Sequence, residues 1–565
     1  MNNPGWSMYV FRDGRQTVSG ATLISALKAA LGRCSRAPES CAEDSVLAAL
    51  IAAGELECAL LDDPGNDTSA SCDIASEITE TLAHALLTGQ SCSLDPVVDR
   101  VGQLRVQIEY QAAVQEGFAY YALHPRKVAM LLETLTLKPQ VSVLGIRSIG
   151  VTLSAVACAA LRMRGIHCRR ITVRPAGHPY DRKLEVTAQL REWVEGSGDA
   201  DFLVVDEGPG ISGSSFLAVA EALTSCGVEP GRIHLIGSRE VDSATLRAVN
   251  ARERWAHFHF HVMQSPPLAP ACAGESLSGG AWRRHFPCEA SAMPASWASL
   301  EPAKFLSRDE QSIFRFEGFG HYGEAAGNRA ALLAERGFAP RYLGNRFGFG
   351  EYALLSGRTL ALADRSPELL ERMASYLALR ATAFATDTRQ TPELETMLRW
   401  NWKVEFGEEL GRAESRLRME RVVVCDGRMM PHKWLRTNRG ELLKLDACTH
   451  GDNHFFPGAC DIAWDVAGAI VEWKLDGEMR KRFIGEYEAQ SGDAVRARLA
   501  PYLLAYTTFC LGWSRMAAAA MQGEYDEALL MRDAEKYRAE ALRLRPKQTE
   551  QKTPEKSVNT SLRIA

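Results

Sequence analysis

Between residues 138 and 240, short apolar runs alternate with helix-like stretches, and this alternation most constrains the fold. Residues 141–144, 167–173, 202–205 and 233–237 read as strands. Residues 151–163, 184–194 and 216–223, between them, read as helices. Strands that take turns with helices form a parallel sheet joined by right-handed crossovers. Ligands of such sheets sit at the carboxyl ends of the strands. Two glycine-bearing loops fall at such ends: 145–150 (GIRSIG) and 206–215 (DEGPGISGSS).

The rest of the chain sets bounds. Its 565 residues suggest roughly three or four domains at about 150 residues each. A hydrophobic share of 46% supplies real cores and excludes wholesale disorder. Lys and Arg total 65 against 70 Asp and Glu, so bulk charge predicts no nucleic-acid partner. No apolar run approaches the ~18 residues needed to span a bilayer, and residues 1–12 carry no secretory pattern. The fourteen cysteines include no C-x-x-C pair and read as reduced, buried thiols of a cytoplasmic protein.

The expected layout has a helical hood at 1–110, a sheet domain at 111–262 and a Pro/Ser/Gly-rich linker at 263–300. A second unit follows at 301–420 and 421–545, then a disordered tail at 546–565. Residues 47–61 suit a helix broken at Gly54.

The loop after 202–205 opens with Asp206 and Glu207, whose carboxylates only accept hydrogen bonds and suit the vicinal hydroxyls of a ribose. Small residues follow: Gly210, Ile211, Ser212, Gly213, Ser214 and Ser215. They let backbone N–H groups approach a phosphate at a helix N-terminus. Glycines in the upstream loop permit the same close approach, and Arg147 adds a cation. Residues 174–183 (RPAGHPYDRK) suit a mobile lid with Arg174, His178, Arg182 and Lys183 as contacts. Residues 116–127 (EGFAYYALHPRK) offer aromatics and cations for stacking.

This pair of loops resembles the type I phosphoribosyltransferases. The resemblance implies that Asp206 and Glu207 hold the ribose and help bind Mg²⁺. It gives the 5′-phosphate to residues 210–215, and pyrophosphate to Gly145, Ile146, Arg147, Ser148, Ile149 and Gly150. The spacer at 208–211 is one residue longer than the family's. Phosphoribosyl pyrophosphate is the implied substrate, with an acceptor that no motif names.

Downstream, 312–323 (SIFRFEGFGHYG) carries Gly318, Gly320 and Gly323 after a strand. Residues 422–446 hold Asp426 and Asp446, and 461–467 read DIAWDVA. This ordering resembles the aminoglycoside/choline kinase branch of the protein-kinase-like fold. By that resemblance Asp426 is the catalytic base, His432 stands at the metal-binding Asn, and Asp446 holds Mg²⁺. Asp461 and Asp465 are then structural, 347–352 approximates the link between lobes, and Gly318, Gly320 and Gly323 contact ATP. No lysine lies between Lys304 and Lys403, so the phosphate cation is Lys304 or Arg315. An alternative register makes Asp452 the base. His450 with His454, and His257, His259 and His261, have spacings that metal ligands can use, although a polar strand face explains the second group.

The expected fold is therefore α/β: a Rossmann-like parallel sheet in the first half and a two-lobed, α+β kinase-like second half. The leading expectation is Mg²⁺-dependent transfer or hydrolytic release of a phosphoribosyl group. The alternatives are ATP-dependent phosphorylation of a small molecule by Asp426 and Asp446, and a non-catalytic sensor of a phosphoribosyl or nucleotide ligand. A homo-oligomer is compatible with each; a membrane partner is not expected.

Overall fold

The computed structural model describes residues 15–36, 42–63, 69–89, 95–178, 180–263, 267–285, 293–386, 391–448 and 459–545. The parallel sheet is present, with five strands. Gln140–Ile146 lies between His167–Val173 and Asp201–Val205, and Ile233–Gly237 and His259–Val262 follow outward. Val141, Val143, Leu203 and Val205 are fully buried, as expected of strands covered on both faces. The connections reverse direction between Gln140–Ile146 and Asp201–Val205, which makes the gap beyond their carboxyl ends the topological switch point. Helix Ile149–Met163 leaves the first strand through a turn too tight for side chains: a Cβ on Gly145 would lie 2.1 Å from the Gly150 carbonyl oxygen.

Helices Gly20–Cys34, Ala42–Leu61 and Ser69–Thr88 cover this sheet. Ala42–Leu61 runs unbroken through Gly54, which corrects the expected break. Glycine is there for contact, since a Cβ would lie 2.0 Å from Thr152 Oγ1. The helix is buried along almost its whole length because it is sandwiched. One face meets the parallel sheet's helix. Another shares a core with Phe305, Phe314, Phe316 and Phe349 of a second, antiparallel sheet.

That second sheet has the order Ala273–Ser276, Lys304–Ser307, Ser312–Phe316, Phe349–Ala353, Tyr342–Arg346. Alternation along Ser312–Phe316 puts Phe314 and Phe316 into the shared core and Ile313 and Arg315 on the opposite face. The segment read as a linker contributes the edge strand Ala273–Ser276 and then straps onto the last two helices, Leu499–Ala520 and Tyr525–Leu544. Arg283 pairs with Asp526 at 2.6 Å, and Trp297 packs edge-on against Trp513.

Helices Pro367–Ala383, Ala463–Glu472, Gly477–Ser491, Leu499–Ala520 and Tyr525–Leu544 build the C-terminal core with buried Trp402, Trp464, Trp473 and Tyr506. A cavity of about 1810 Å³ opens between these helices and the free face of the antiparallel sheet. Among the described residues no cysteine forms a disulfide. Among the described residues no helix is long and apolar enough to cross a membrane. Residues 450, 452 and 454 and the tail at 546–565 lie outside the described residues.

Candidate functional site

Two sites follow from this architecture. The first is the switch point. Its two loops leave neighbouring parallel strands paired from Val141↔Asp201 to Gly145↔Val205, so residues 147–150 and 206–215 face each other. Helices Ile149–Met163 and Ser214–Ser225 both begin there, bringing the positive ends of two helix dipoles to the switch point. Gly213 takes a left-handed φ of 68° to start the second helix, and Ser212 Oγ caps Ser214 N at 3.2 Å. Ser148 holds a φ of 141°, a conformation costing about 1–3 kcal/mol that clusters at functional turns. Gly210 and Ile211 stand exposed at the rim.

Asp206 and Glu207 sit at the base of this site. Burial pushes Asp206 up to about 7. Burial, and then the neighbouring Glu116, push Glu207 up to about 8. Arg239 stands 3.5 Å from Glu207 and stacks over Tyr121 at 4.9 Å. Sequence reasoning missed Glu116 and Arg239. In the fold Gly117 permits the approach, since a Cβ there would crowd Glu207 Oε2 at 3.1 Å.

The role expected of Arg147 is corrected. Its guanidinium bonds to the Leu61 carbonyl at 2.7 Å and to Asp62 at 3.2 Å, and its backbone N–H bonds to Val173. Arg174, expected in the lid, also pairs with Asp62. The two arginines therefore anchor the end of helix Ala42–Leu61. The lid segment forms an exposed hairpin, Ala176–His178 with Asp181–Lys183.

The second site is the cavity. Lys304 and Arg315 are cross-strand partners on the sheet, so both candidate phosphate cations face it together. Asp446 lies opposite, in a left-handed turn with φ 55°. Lys433 hydrogen-bonds its Oδ2, Lys304 stands 3.9 Å from that oxygen, and Arg315 Nε stands 3.6 Å from Oδ1. Arg315 is 3% exposed, and none of its three guanidinium nitrogens has a hydrogen-bond acceptor among the described residues. Beside it Glu317 bonds Tyr352 and is pushed up to about 6 by burial.

Three expectations for this half are corrected. Asp426 is not a free base: it is fully buried, 3.1 Å from Lys444, and takes the Tyr376 hydroxyl at 2.5 Å. The glycine loop does not open over the cavity. Phe319 N–H bonds the Phe118 carbonyl, and a Cβ on Gly320 would meet Ala48 Cα at 3.2 Å; Gly318 and Gly323 close the turn between them. Residues 349–353 are strand, so the chain leaves the sheet at 354–356. The structural aspartates do hold backbone. Asp465 takes the N–H groups of Asp426 and Gly427, and Asp461 takes those of Glu420, Arg421 and Ala463.

The residues expected to hold Mg²⁺ do not fit it. Mg²⁺ wants several oxygen ligands in near-octahedral array. Asp446 is already occupied by cations, Asp426 is spent on Lys444, and His432 offers a nitrogen rather than an oxygen, amid the charges of Lys433, Arg428, Lys536 and Lys444. Among the described residues no three His, Cys, Asp or Glu side chains are grouped to hold a metal, at Asp206 and Glu207 included. His259 and His261 stack on His234 at the edge of the parallel sheet, with a 3.0 Å nitrogen contact between His234 and His261; His257 precedes the strand.

No protein-family model matches the chain, and no curated protein matches it. Solved structures do resemble part of it. Choline kinase LicA from Streptococcus pneumoniae is 16% identical, over 42% of this chain and 90% of its own, with a TM-score of 0.30. A choline/ethanolamine kinase family protein from Mesorhizobium loti is 15% identical, over 46% and 94%, at 0.29. Macrolide 2'-phosphotransferase MphH from Brachybacterium faecium is 18% identical, over 48% and 98%, at 0.25. Each overlaps less than half of this chain and superposes loosely.

Proposed function

We propose that this chain binds a nucleoside phosphate in the cavity between the antiparallel sheet and the C-terminal helices. The observation that carries this reading is Arg315. A guanidinium holds five N–H donors in a fixed fork that matches phosphate. Burying such donors without acceptors is costly, so the site calls for a ligand rich in acceptor oxygens. Lys304 adds a second cation at the same wall, and Ile313, Leu354, Leu355 and Leu445 offer apolar surface for a base. Phosphoryl transfer by Asp426 has no place in this reading, because that carboxylate is bonded to Lys444 and Tyr376.

A thermal-shift screen with AMP, ADP, ATP and phosphoribosyl pyrophosphate tests it. Nucleotides are expected to raise the melting temperature. Arg315→Met is expected to weaken them by about 10- to 150-fold, the worth of about 1.5–3 kcal/mol for hydrogen bonds to a charged group. A chain indifferent to every nucleotide would sink the reading.

A second reading concerns the switch point and is favoured by the two facing loops with Asp206 and Glu207 between them. Here we propose a phosphorylated ribose, with hydroxyls on the two carboxylates and phosphate at the helix starts. In the ligand-free chain these carboxyls titrate higher than they do unfolded. From about pH 4 to about pH 8 the folded state therefore holds more protons, and stability falls as pH rises. Asp206→Asn with Glu207→Gln should remove that loss. The double variant's advantage, on the order of 1–3 kcal/mol, should grow across that window and then level. Any shift caused by phosphoribosyl pyrophosphate should vanish in it. A constant stability gap from pH 4 to 8, or a retained shift, would refute this assignment.

A further inference from the structure

The cations around Asp446 bear on how the cavity's ligand is held. Lys433 Nζ is hydrogen-bonded to Oδ2, the oxygen a divalent ion would need, and Lys304 stands 3.9 Å from the same atom. Arg315 covers the other oxygen at 3.6 Å. A doubly charged ion at this place would meet each of these cations at close range, with twice the repulsion that a single charge would feel. A second carboxylate could tip the balance toward a metal, but Asp426 has its Oδ2 on Lys444 and Tyr376 and its Oδ1 on the Arg428 N–H. The remaining carboxylates at this wall are Glu301, which pairs with Lys304 at 3.2 Å, and Glu317, which is bonded to Tyr352. Of the described carboxylates at this wall, Asp446, Asp426 and Glu301 are each paired with a cation, and Glu317 keeps one buried oxygen, Oε2, without a hydrogen bond. Against that single oxygen stand three unanswered donor nitrogens, all on Arg315.

We propose that the cavity binds its nucleoside phosphate without a divalent cation: Arg315 and Lys304 contact the phosphate directly, and the Lys433 ammonium on Asp446 occupies the place of a metal. The inference rests on the nucleotide reading above. It makes Lys433 a fixed, protein-supplied charge that the other elements position. Its carbon stem rises from the short turn Pro431–Lys433, and Asp446 holds the head. Direct contact with the guanidinium also explains why a buried arginine is kept where a lysine would give a single point of charge.

Calorimetric titration of the full chain with ADP, in excess EDTA and in excess Mg²⁺, tests this. The dissociation constants are expected to agree within about threefold, less than the tenfold that 1.4 kcal/mol represents. Lys433→Met should weaken ADP in EDTA by about tenfold or more, and Lys433→Arg should restore most of the loss. Binding that appears only with Mg²⁺, or tightens with it by more than about tenfold, overturns the metal-free inference and leaves the nucleotide reading standing. ADP binding by Lys433→Met in EDTA at the parent's affinity also overturns it. Absence of ADP binding under both conditions overturns the nucleotide reading and this inference together.

Discussion

Asp426→Ala is expected to destabilise the C-terminal half by about 3–5 kcal/mol, the cost of leaving one member of a buried ion pair without its partner. Lys444 would be that partner. It is fully buried, 3.1 Å from Asp426, with the Leu445 carbonyl as its second acceptor among the described residues. The loss would spread. Asp426 also receives the Tyr376 hydroxyl, which in turn accepts from Arg380 at 3.0 Å, and Arg380 bonds the Val424 and Ala447 carbonyls. Chemical unfolding followed by tryptophan fluorescence reads the effect, because Trp434 stacks edge-on against Tyr376 inside this network. Lys444→Met introduced into Asp426→Leu should recover most of the loss, since the pair is then replaced by apolar groups. A catalytic base would behave oppositely: its alanine variant would keep the parent's stability and lose only turnover.

Arg170→Met should cost a similar amount, about 3–5 kcal/mol, in the N-terminal half. The guanidinium is 2% exposed and gathers four elements at one point. From strand His167–Val173 it reaches Glu57 at 2.7 Å, Glu80 at 3.1 Å and the Val151 carbonyl at 3.0 Å. Those acceptors lie on helices Ala42–Leu61, Ser69–Thr88 and Ile149–Met163. Without the arginine, Glu57 is left buried at 2% exposure. Adding Glu57→Met should return much of the stability, and the melting temperature of the three chains decides the matter. Equal melting of Arg170→Met and the parent would show that the helical layer is held by apolar contact alone.

The parallel sheet was legible because its signals are local. Four short runs, three of them buried almost throughout and His167–Val173 half-buried at the sheet's edge, are written in consecutive residues together with the glycines between them. The helix–turn geometry at Gly145 and Gly150 follows from the same short stretch. The site's chemistry was less legible because the deciding partners are remote in sequence. Arg147 looks free for pyrophosphate until Asp62, 85 positions upstream, is folded against it. Asp426 has the spacing of a base, and only the fold brings Lys444 and Tyr376 to it. Gly318, Gly320 and Gly323 satisfy a phosphate-loop pattern, yet the same glycines serve equally to admit the backbone of another helix, here at Ala48. Glu116 reaches Glu207 across ninety positions of chain, and no pattern of single residues announces such a meeting. In each case the residue type was read correctly as charged or small. What the sequence leaves open is which opposite charge or backbone will answer it.

The most direct measurement is a crystal structure of the full chain grown with ADP. The account predicts phosphate oxygens at about 2.7–2.9 Å from the nitrogens of Arg315 and Lys304, with Lys433 still bonded to Asp446. ADP bound away from that wall, or with its phosphates on the 318–323 loop, would contradict it.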